Sequence, residues 1–221
     1  MLFFVYITLD TFGEHMNKPP NHRSVNLKII ISLGIFYILI GYNSTTLAES
    51  PPLSGPMGKF QLTRIDQPNI KVTNTVSWED TNGKKVSLAD FKGKVVFLNF
   101  WATWCSPCIR ELPSIERLQN KFSENDFAVI AISLDRGGKK VASRLLKRLQ
   151  LGKLTLYIDK ESKSAKKLGV KYMPTTIIFD RKNRELGKLQ GGVEWDSKNA
   201  VALIKYFINN PTYLDTKRGI K

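Results

Sequence analysis

Two hydrophobic periods alternate along most of this chain, and the switches between them outline its elements. Val95 to Phe100 is an apolar run interrupted only by Asn99, too short for a helix and bounded by Lys92-Gly93-Lys94, so it reads as a central buried strand. From Ile109 onward the spacing changes to that of a helix, with Ile109, Leu112, Ile115, Leu118 and Phe122 on one face and Pro113 expected to kink it without ending it. Phe127 to Ser133 is a second buried strand, and its crossover from the first predicts a parallel β-α-β unit. A helix carrying Val141, Leu145 and Leu149 follows, then a strand over Leu154 to Ile158 and a short helix over Ser162 to Leu168. Thr175 to Phe179 and Leu186 to Leu189, joined by Asp180-Arg181-Lys182-Asn183, predict an antiparallel hairpin, and a helix around Asn199 to Ile208 closes the series. Upstream, Val76-Ser77-Trp78 and Lys85-Val86 flank Asp80-Thr81-Asn82-Gly83, where Asn-Gly tolerates the positive φ of a tight hairpin. Ser87 is placed to cap a helical turn over Leu88 to Phe91.

The N-terminal region follows a different pattern. Ile29 to Tyr42 is almost wholly apolar, preceded by Lys18, Arg23 and Lys28 and followed by no basic residue before Lys59. That asymmetry predicts the N-terminus inside and the following domain outside. The uncharged stretch Ile29 to Ala48 is of bilayer-spanning length, which favours an uncleaved anchor, while Thr46-Leu47-Ala48 loosely fits a signal-peptide cleavage site. No cysteine lies near Ala48, so a lipid anchor is excluded. Met16 begins a segment with the usual basic leader and is an alternative start. Glu49 to Gly58, rich in Pro, Gly and Ser, reads as a tether. The resulting organisation is a cytoplasmic leader (1–28), an anchor or signal peptide (29–48), a linker and N-terminal extension (49–75), one domain (76–210) and a C-terminal tail (211–221).

Only two cysteines occur in the 221 residues, and they sit together as Trp104-Cys105-Ser106-Pro107-Cys108, where the central strand gives way to the first long helix. A helix starting near Ser106 leaves its first N–H groups without intrahelical partners, so the sulfur of Cys105 experiences a positive potential that favours thiolate. Lowering a cysteine pKa from about 8.5 to about 7 takes roughly 2 kcal/mol, and a helix terminus supplies roughly 0.3–1, or about 2 when partly buried. Hydrogen bonds from Cys108 and nearby backbone N–H groups supply the remainder. Pro107 fits the first turn because the N–H it lacks has no intrahelical acceptor there. A structural disulfide closing so short a loop contributes only about 2 kcal/mol in the chain-entropy model. A zinc site needs about four ligands, and the only histidines, His15 and His22, lie upstream of the domain. Reversible dithiol chemistry is the reading these comparisons leave strongest.

Phe100-Trp101-Ala102-Thr103-Trp104-Cys105-Ser106-Pro107-Cys108 with Glu111 and Pro113, together with Gly169-Val170-Lys171-Tyr172-Met173-Pro174-Thr175 and Gly191-Gly192-Val193-Glu194-Trp195, resembles the membrane-tethered TlpA-like and ResA-like branch of the thioredoxin superfamily. The resemblance runs from about Val76 to Ile208. It implies an α/β thioredoxin fold, a central mixed β-sheet flanked by helices, with an N-terminal β-hairpin extension and a TlpA/ResA-type insert. It also implies that Cys105 is the exposed attacking sulfur, that Cys108 is the buried resolving sulfur, and that Pro174 is a cis-proline facing them. Met173 would pair through its backbone with an extended client segment, and Thr175 follows it in the same loop. Read without the family, Met173-Pro174 is a turn before a strand. Thioredoxins carry a buried aspartate where this chain has Asn99, and an amide does not titrate. Glu111, one turn beyond Cys108, is the candidate proton-handling group; the alternative is a solvated first-turn carboxylate. Trp104 would pack beside the sulfurs and shield Cys108, with Trp101 in the core beneath; plain core is the alternative for both.

The implied activity is thiol-disulfide exchange, acting as a reductase at the outer face of the inner membrane, with the Cys105–Cys108 disulfide as the redox group and neither a further cofactor nor a metal. A dedicated reductant in an oxidising compartment implies clients whose cysteines must be free for metal or haem. TlpA-like proteins point to a Sco-type copper chaperone or the oxidase copper subunit; ResA-like and CcmG-like proteins point to apocytochrome c, although CcmG commonly has Glu where Thr175 stands. Electrons would come from a DsbD- or CcdA-type membrane protein, and a monomer is expected. A redox-inert peptide-binding chaperone would use the same groove, and a peroxidase is disfavoured because the second cysteine follows Cys105 too closely. The net charge of +15 is concentrated on Lys139, Lys140, Arg144, Lys147, Arg148, Lys160, Lys163, Lys166, Lys167 and Lys171. Such a face either steers acidic partners and anionic headgroups or is simply solvated. No nucleic-acid motif is present, and nucleic acid is not an expected partner.

Overall fold

The structure is a computed structural model that describes residues 50–63 and 75–217. The expected leader, the apolar segment 29–48, the alternative start at Met16 and both histidines lie outside the described residues. Among the described residues no helix is long and apolar enough to cross a membrane.

The described residues form an eight-stranded mixed sheet whose strands are β1 (Gln61–Leu62), β2 (Ser77–Glu79), β3 (Lys85–Ser87), β4 (Val95–Trp101), β5 (Phe127–Ser133), β6 (Leu156–Ile158), β7 (Thr175–Phe179) and β8 (Glu185–Gln190). Their order is β1-β8-β7-β4-β5-β6-β2-β3. Every residue of β4 is buried. It runs parallel to β5 in the register Val95↔Phe127 to Trp101↔Ser133 and antiparallel to β7 in the register Val96↔Phe179 to Phe100↔Thr175. The helices are α1 (Ser106–Gln119), α2 (Gly138–Arg148), α3 (Lys163–Lys167), α4 (Lys198–Asn209) and α5 (Tyr213–Lys217).

The period of two along the strands sorts the core onto two faces. Phe97, Trp101, Val129 and Ala131 share a cluster with Leu112, Ile115 and Leu118 of α1 and with Leu203 and Phe207 of α4. Val96, Leu98, Phe100, Ile130 and Ile132 pack with Trp78, Leu88, Ala165 and Leu168 on the other face. The hairpin forms as expected, with Ser77↔Ser87 and Glu79↔Lys85 paired, and the 3₁₀ turn Leu88–Phe91 follows it with the Ser87 N–H donating to the Asp90 carboxylate at 2.7 Å.

Three local expectations change. Val141 is exposed, and α2 instead buries Ala142, Leu145 and Leu146, an inward stripe one residue round from the expected one. Within Glu49–Gly58, read as a tether, Met57 is buried on the domain, and just beyond it Phe60 is buried and β1 pairs with β8 through Gln61↔Lys188 and Leu62↔Gly187. A Cβ on Gly187 would stand 2.5 Å from the Gln61 carbonyl oxygen and 2.5 Å from the Phe60 ring, so a glycine is what admits the added strand. The expected tail carries α5, where Tyr213 and Leu214 are buried and Asp215 pairs with Arg184, whose guanidinium also holds Asp180 at 2.7 Å.

Phe60 touches the core through the Phe207 ring, with centroids 6.2 Å apart. Phe60→Ala is therefore expected to cost about 3–5 kcal/mol in urea unfolding, whereas a loss under about 1 kcal/mol would mean that residues 51–62 behave as tether.

Candidate active site

The chain leaves the end of the central strand β4, and the turn after it delivers Cys105 as the N-cap of α1. The Cys105 N–H donates to the Ala102 carbonyl at 3.1 Å. Asp135, just beyond the end of β5, fastens the turn from the side: its carboxylate accepts the Thr103 N–H at 3.0 Å and the Thr103 hydroxyl at 2.7 Å, and Ser133 donates to it at 2.8 Å. Cys105 has an extended backbone (φ −96°, ψ 96°), so its sulfur turns back over the helix end and accepts the Cys108 N–H at 3.3 Å. That is an N-cap made by sulfur, using one of the N–H groups the helix leaves unpaired. Pro107 occupies the first turn, as expected.

Cys105 and Cys108 are joined as a disulfide. Cys108 is wholly buried and Cys105 retains 6% exposure, so any attack from outside meets Cys105. Trp104 is 67% exposed, so it is not plain core. Cys108 is buried in the cluster that holds Trp101, Leu112 and Trp195. Trp101 belongs to the core, as expected.

The Met173–Pro174 peptide is cis. Since Phe100 pairs with Thr175, Pro174 lies at the sheet end where β4 hands over to the cysteine turn. The Thr175 hydroxyl donates to the Tyr172 carbonyl at 2.7 Å, and the Gly191 N–H donates to the Pro174 carbonyl at 2.8 Å. Met173 is half-buried and Tyr172 stands 65% exposed beside it.

Glu111 is 2% exposed, which removes the reading of a solvated first-turn carboxylate. Its Oε1 accepts from Asn99 Nδ2 at 2.8 Å. Its Oε2 accepts from the Val193 N–H and from Trp195 Nε1, each at 3.2 Å. Burial pushes the carboxyl up from its ordinary 4.5 to about 7, with the Asn99, Val193 and Trp195 donors pulling it back and the Glu194 charge adding to the rise. Ser114 completes the clamp, donating to the Glu111 carbonyl at 2.7 Å while accepting the Trp195 N–H at 2.9 Å. A cleft of about 210 Å³ is lined by Pro107, Arg110, Glu111, Gly192, Val193 and Glu194.

The cysteines, Glu111 and Asn99 were legible in the sequence; Thr176, Ser114, Asp135, Val193 and Trp195 were not assigned roles by it. A buried indole requires a partner for its N–H, which is the one signal that could have linked Trp195 to Glu111. Among the described residues no group of three or more His, Cys, Asp and Glu side chains is placed to hold a metal ion.

The redoxin family model matches residues 67–204. The thiol-disulfide oxidoreductase ResA of Bacillus anthracis is 36% identical over 165 residues, covering 74% of this chain and 88% of that protein. ResA of Bacillus thuringiensis subsp. konkukian is 37% identical over 126 residues, covering 57% of this chain and 68% of that protein. Among solved structures, the thiol:disulfide interchange protein DsbE of Chlorobium tepidum superposes with a TM-score of 0.54 at 30% identity, covering 60% of this chain and 92% of that one. The chain belongs to the redoxin family, within the thioredoxin superfamily, as a ResA/TlpA-like thiol-disulfide oxidoreductase.

The raised carboxyl has a thermodynamic signature. The folded-state pKa of Glu111 lies above the unfolded one, so the folded protein holds the extra proton between about pH 4.5 and about 7. The contribution of this group is full below pH 4.5 and is lost as pH rises to about 7. Relative to Glu111→Gln, the wild-type oxidised domain is expected to lose roughly 3 kcal/mol across that interval, read from urea midpoints at a series of pH values; parallel curves would place the Glu111 carboxyl at an ordinary pKa.

Proposed function

We propose that this chain works as a reductase of paired client cysteines, tethered to the outer face of the inner membrane by the segment 29–48. The observation that carries the reading is the sulfur N-cap: Cys105 sits at the head of a fourteen-residue helix with its Sγ receiving the Cys108 N–H, and one turn beyond Cys108 lies the buried carboxyl of Glu111. Client cysteines follow from the dithiol chemistry. In the reducing direction the Cys105 thiolate attacks a client disulfide, forming a Cys105–client mixed disulfide and releasing one client thiolate, which takes up a proton. Cys108 then gives its proton to Glu111 and attacks the Cys105 sulfur, releasing the second client thiolate and leaving the Cys105–Cys108 disulfide. A membrane dithiol donor of the DsbD or CcdA type returns two electrons and two protons to reset the pair.

In this reading Cys105, Cys108 and Glu111 are the catalytic residues, with Pro107 setting the first helical turn and Asn99 supporting the carboxyl. The client lies along Trp104, Met173, Pro174 and Thr175 as an added extended segment, its main chain pairing with Met173. The exposed Trp104 and Tyr172 rings give that groove apolar rims. The TlpA-like motifs support a Sco-type copper chaperone or the oxidase copper subunit as client. A second reading, apocytochrome c before haem attachment, is favoured by the relatives being ResA proteins.

Cys108→Ser, expressed in the native cell, is expected to accumulate a covalent Cys105–client adduct that dithiothreitol releases. Copper chaperones in the adduct support the first client reading, and haem-binding C-x-x-C-H proteins support the second. Cys105→Ser is expected to abolish insulin reduction, which a redox-inert chaperone would not require. Glu111→Gln is expected to flatten the dependence of dithiol reactivity on pH between about 6 and 8; an unchanged profile removes Glu111 from the mechanism.

A further inference from the structure

One side of the cysteine turn is lined by cations that have no acidic partner. A cleft of about 600 Å³ is bordered by Trp104, by Arg136 just before α2, and by Lys160 in the loop after β6. A second, of about 220 Å³, is bordered by Thr103 and by Arg144 and Arg148 of α2. Thr103 and Trp104 are the two residues before Cys105, so both clefts flank the turn that presents the sulfur. The acids on these loops are engaged elsewhere. Asp135 is buried, with its carboxylate held by Thr103 and Ser133. Asp159 accepts the Lys163, Ser164 and Ala165 N–H groups at the head of α3, and Glu161 pairs with Lys163 at 2.6 Å. α2 itself contains no acidic residue. Among the described residues Arg136, Lys160, Arg144 and Arg148 therefore make no ion pair. Lys160 is also held in place: a Cβ on Gly138 would stand 2.3 Å from its Cε, so its stem lies across room that glycine leaves open.

We propose that this face selects clients that carry an acidic segment beside the cysteine that Cys105 attacks. Arg136 and Lys160 receive its carboxylates next to the Trp104 ring, and Arg144 and Arg148 extend the contact along α2. The inference names the client class for the reductase reading and rests on that reading. Trp104 joins the two sites, since it rims the client groove and borders the first cleft; a chain docked at Cys105 brings its flanking residues to the cations. Opposite charges across such a contact speed encounter and discriminate among partners more than they add affinity. A sheet of anionic headgroups offers the same charge, but laid on this face it would cover Trp104 and the turn that presents Cys105, closing the enzyme to its clients.

The test uses Trp104, the one exposed indole of the four in the chain, as Trp78, Trp101 and Trp195 are buried. Acrylamide quenching is followed on the oxidised full chain in phosphatidylcholine vesicles. Two peptides are added in turn, each with a central Ser-Gly-Gly-Ser in place of a client's cysteine pair, flanked by glutamates in one and by glutamines in the other. In about 20 mM salt the glutamate peptide is expected to shield Trp104 at roughly tenfold lower concentration than the glutamine peptide, and in about 500 mM salt the advantage falls below about twofold. Arg136→Gln combined with Lys160→Gln is expected to weaken the glutamate peptide about fivefold. Lys92→Gln combined with Lys94→Gln removes the same charge at the opposite end of β4 and is expected to leave its affinity unchanged.

Equal shielding by the two peptides, including none by either, overturns the proposal, and so does an equal loss in the two double variants. Without peptide, Trp104 is expected to be quenched alike in phosphatidylcholine vesicles and in vesicles containing phosphatidylglycerol. Shielding by phosphatidylglycerol that disappears in the Arg136→Gln, Lys160→Gln variant would assign the face to the membrane and overturn the proposal. Insulin reduction is a separate readout: its absence in a chain that still prefers the glutamate peptide would count against the reductase reading and leave the acidic-segment surface standing.

Discussion

A carboxyl group buried in an apolar core has to be provided with donors or kept protonated, and in this molecule that requirement falls on Glu111. The donors come from distant parts of the chain: Asn99 on the central strand, and the Val193 and Trp195 N–H groups in the segment after β8. Supplying them fixes α1 to the sheet on one side and to the 191–195 segment on the other, with Ser114 doubling the second attachment. The helix that carries the cysteines is thus positioned by polar contacts as well as by Leu112, Ile115 and Leu118. Burial is unfavourable for the ionised form. The three donors offset part of that cost, and the balance leaves the group near neutrality, where a proton acceptor for a thiol is useful.

The two sulfurs are distinguished by the same geometry. Cys105 lies at the N-cap, where its sulfur accepts the Cys108 N–H, and it keeps 6% exposure while Cys108 is wholly buried. Cys108 lies one turn deeper, on the side of the helix that leads to Glu111. In the proposed reaction this difference in depth gives attack to Cys105 and release to Cys108. Asp135 holds the approach to this turn rigid through Thr103, so the N-cap is presented by a fixed loop.

Much of this was legible from local pattern. The strand-to-helix switch at Cys105, the parallel crossover to β5 and the β7–β8 hairpin all follow from periods of two and 3.6 and from turn chemistry. What stayed hidden is non-local. The Trp195–Glu111 and Asn99–Thr176 bonds span 84 and 77 residues, and no window of sequence shows which polar groups will meet. Glu49–Gly58 misled for the opposite reason: its Pro, Gly and Ser content reads as tether, while Met57 anchors it and, just beyond it, Phe60 is buried and Gly187 leaves room for β1. Trp104 and Val141 are apolar residues left facing solvent, which periodicity alone does not separate from core.

The proposed chemistry requires the Glu111 carboxyl to change its proton in the range where thiols react. The most direct measurement is the pH titration of its carboxyl carbon by ¹³C NMR in the oxidised protein, where no cysteine titrates. A midpoint about 7 is the predicted result. A midpoint at the ordinary glutamate value of about 4.5 would contradict it, leaving a permanently charged anchor for the helix and no proton acceptor beside the sulfurs.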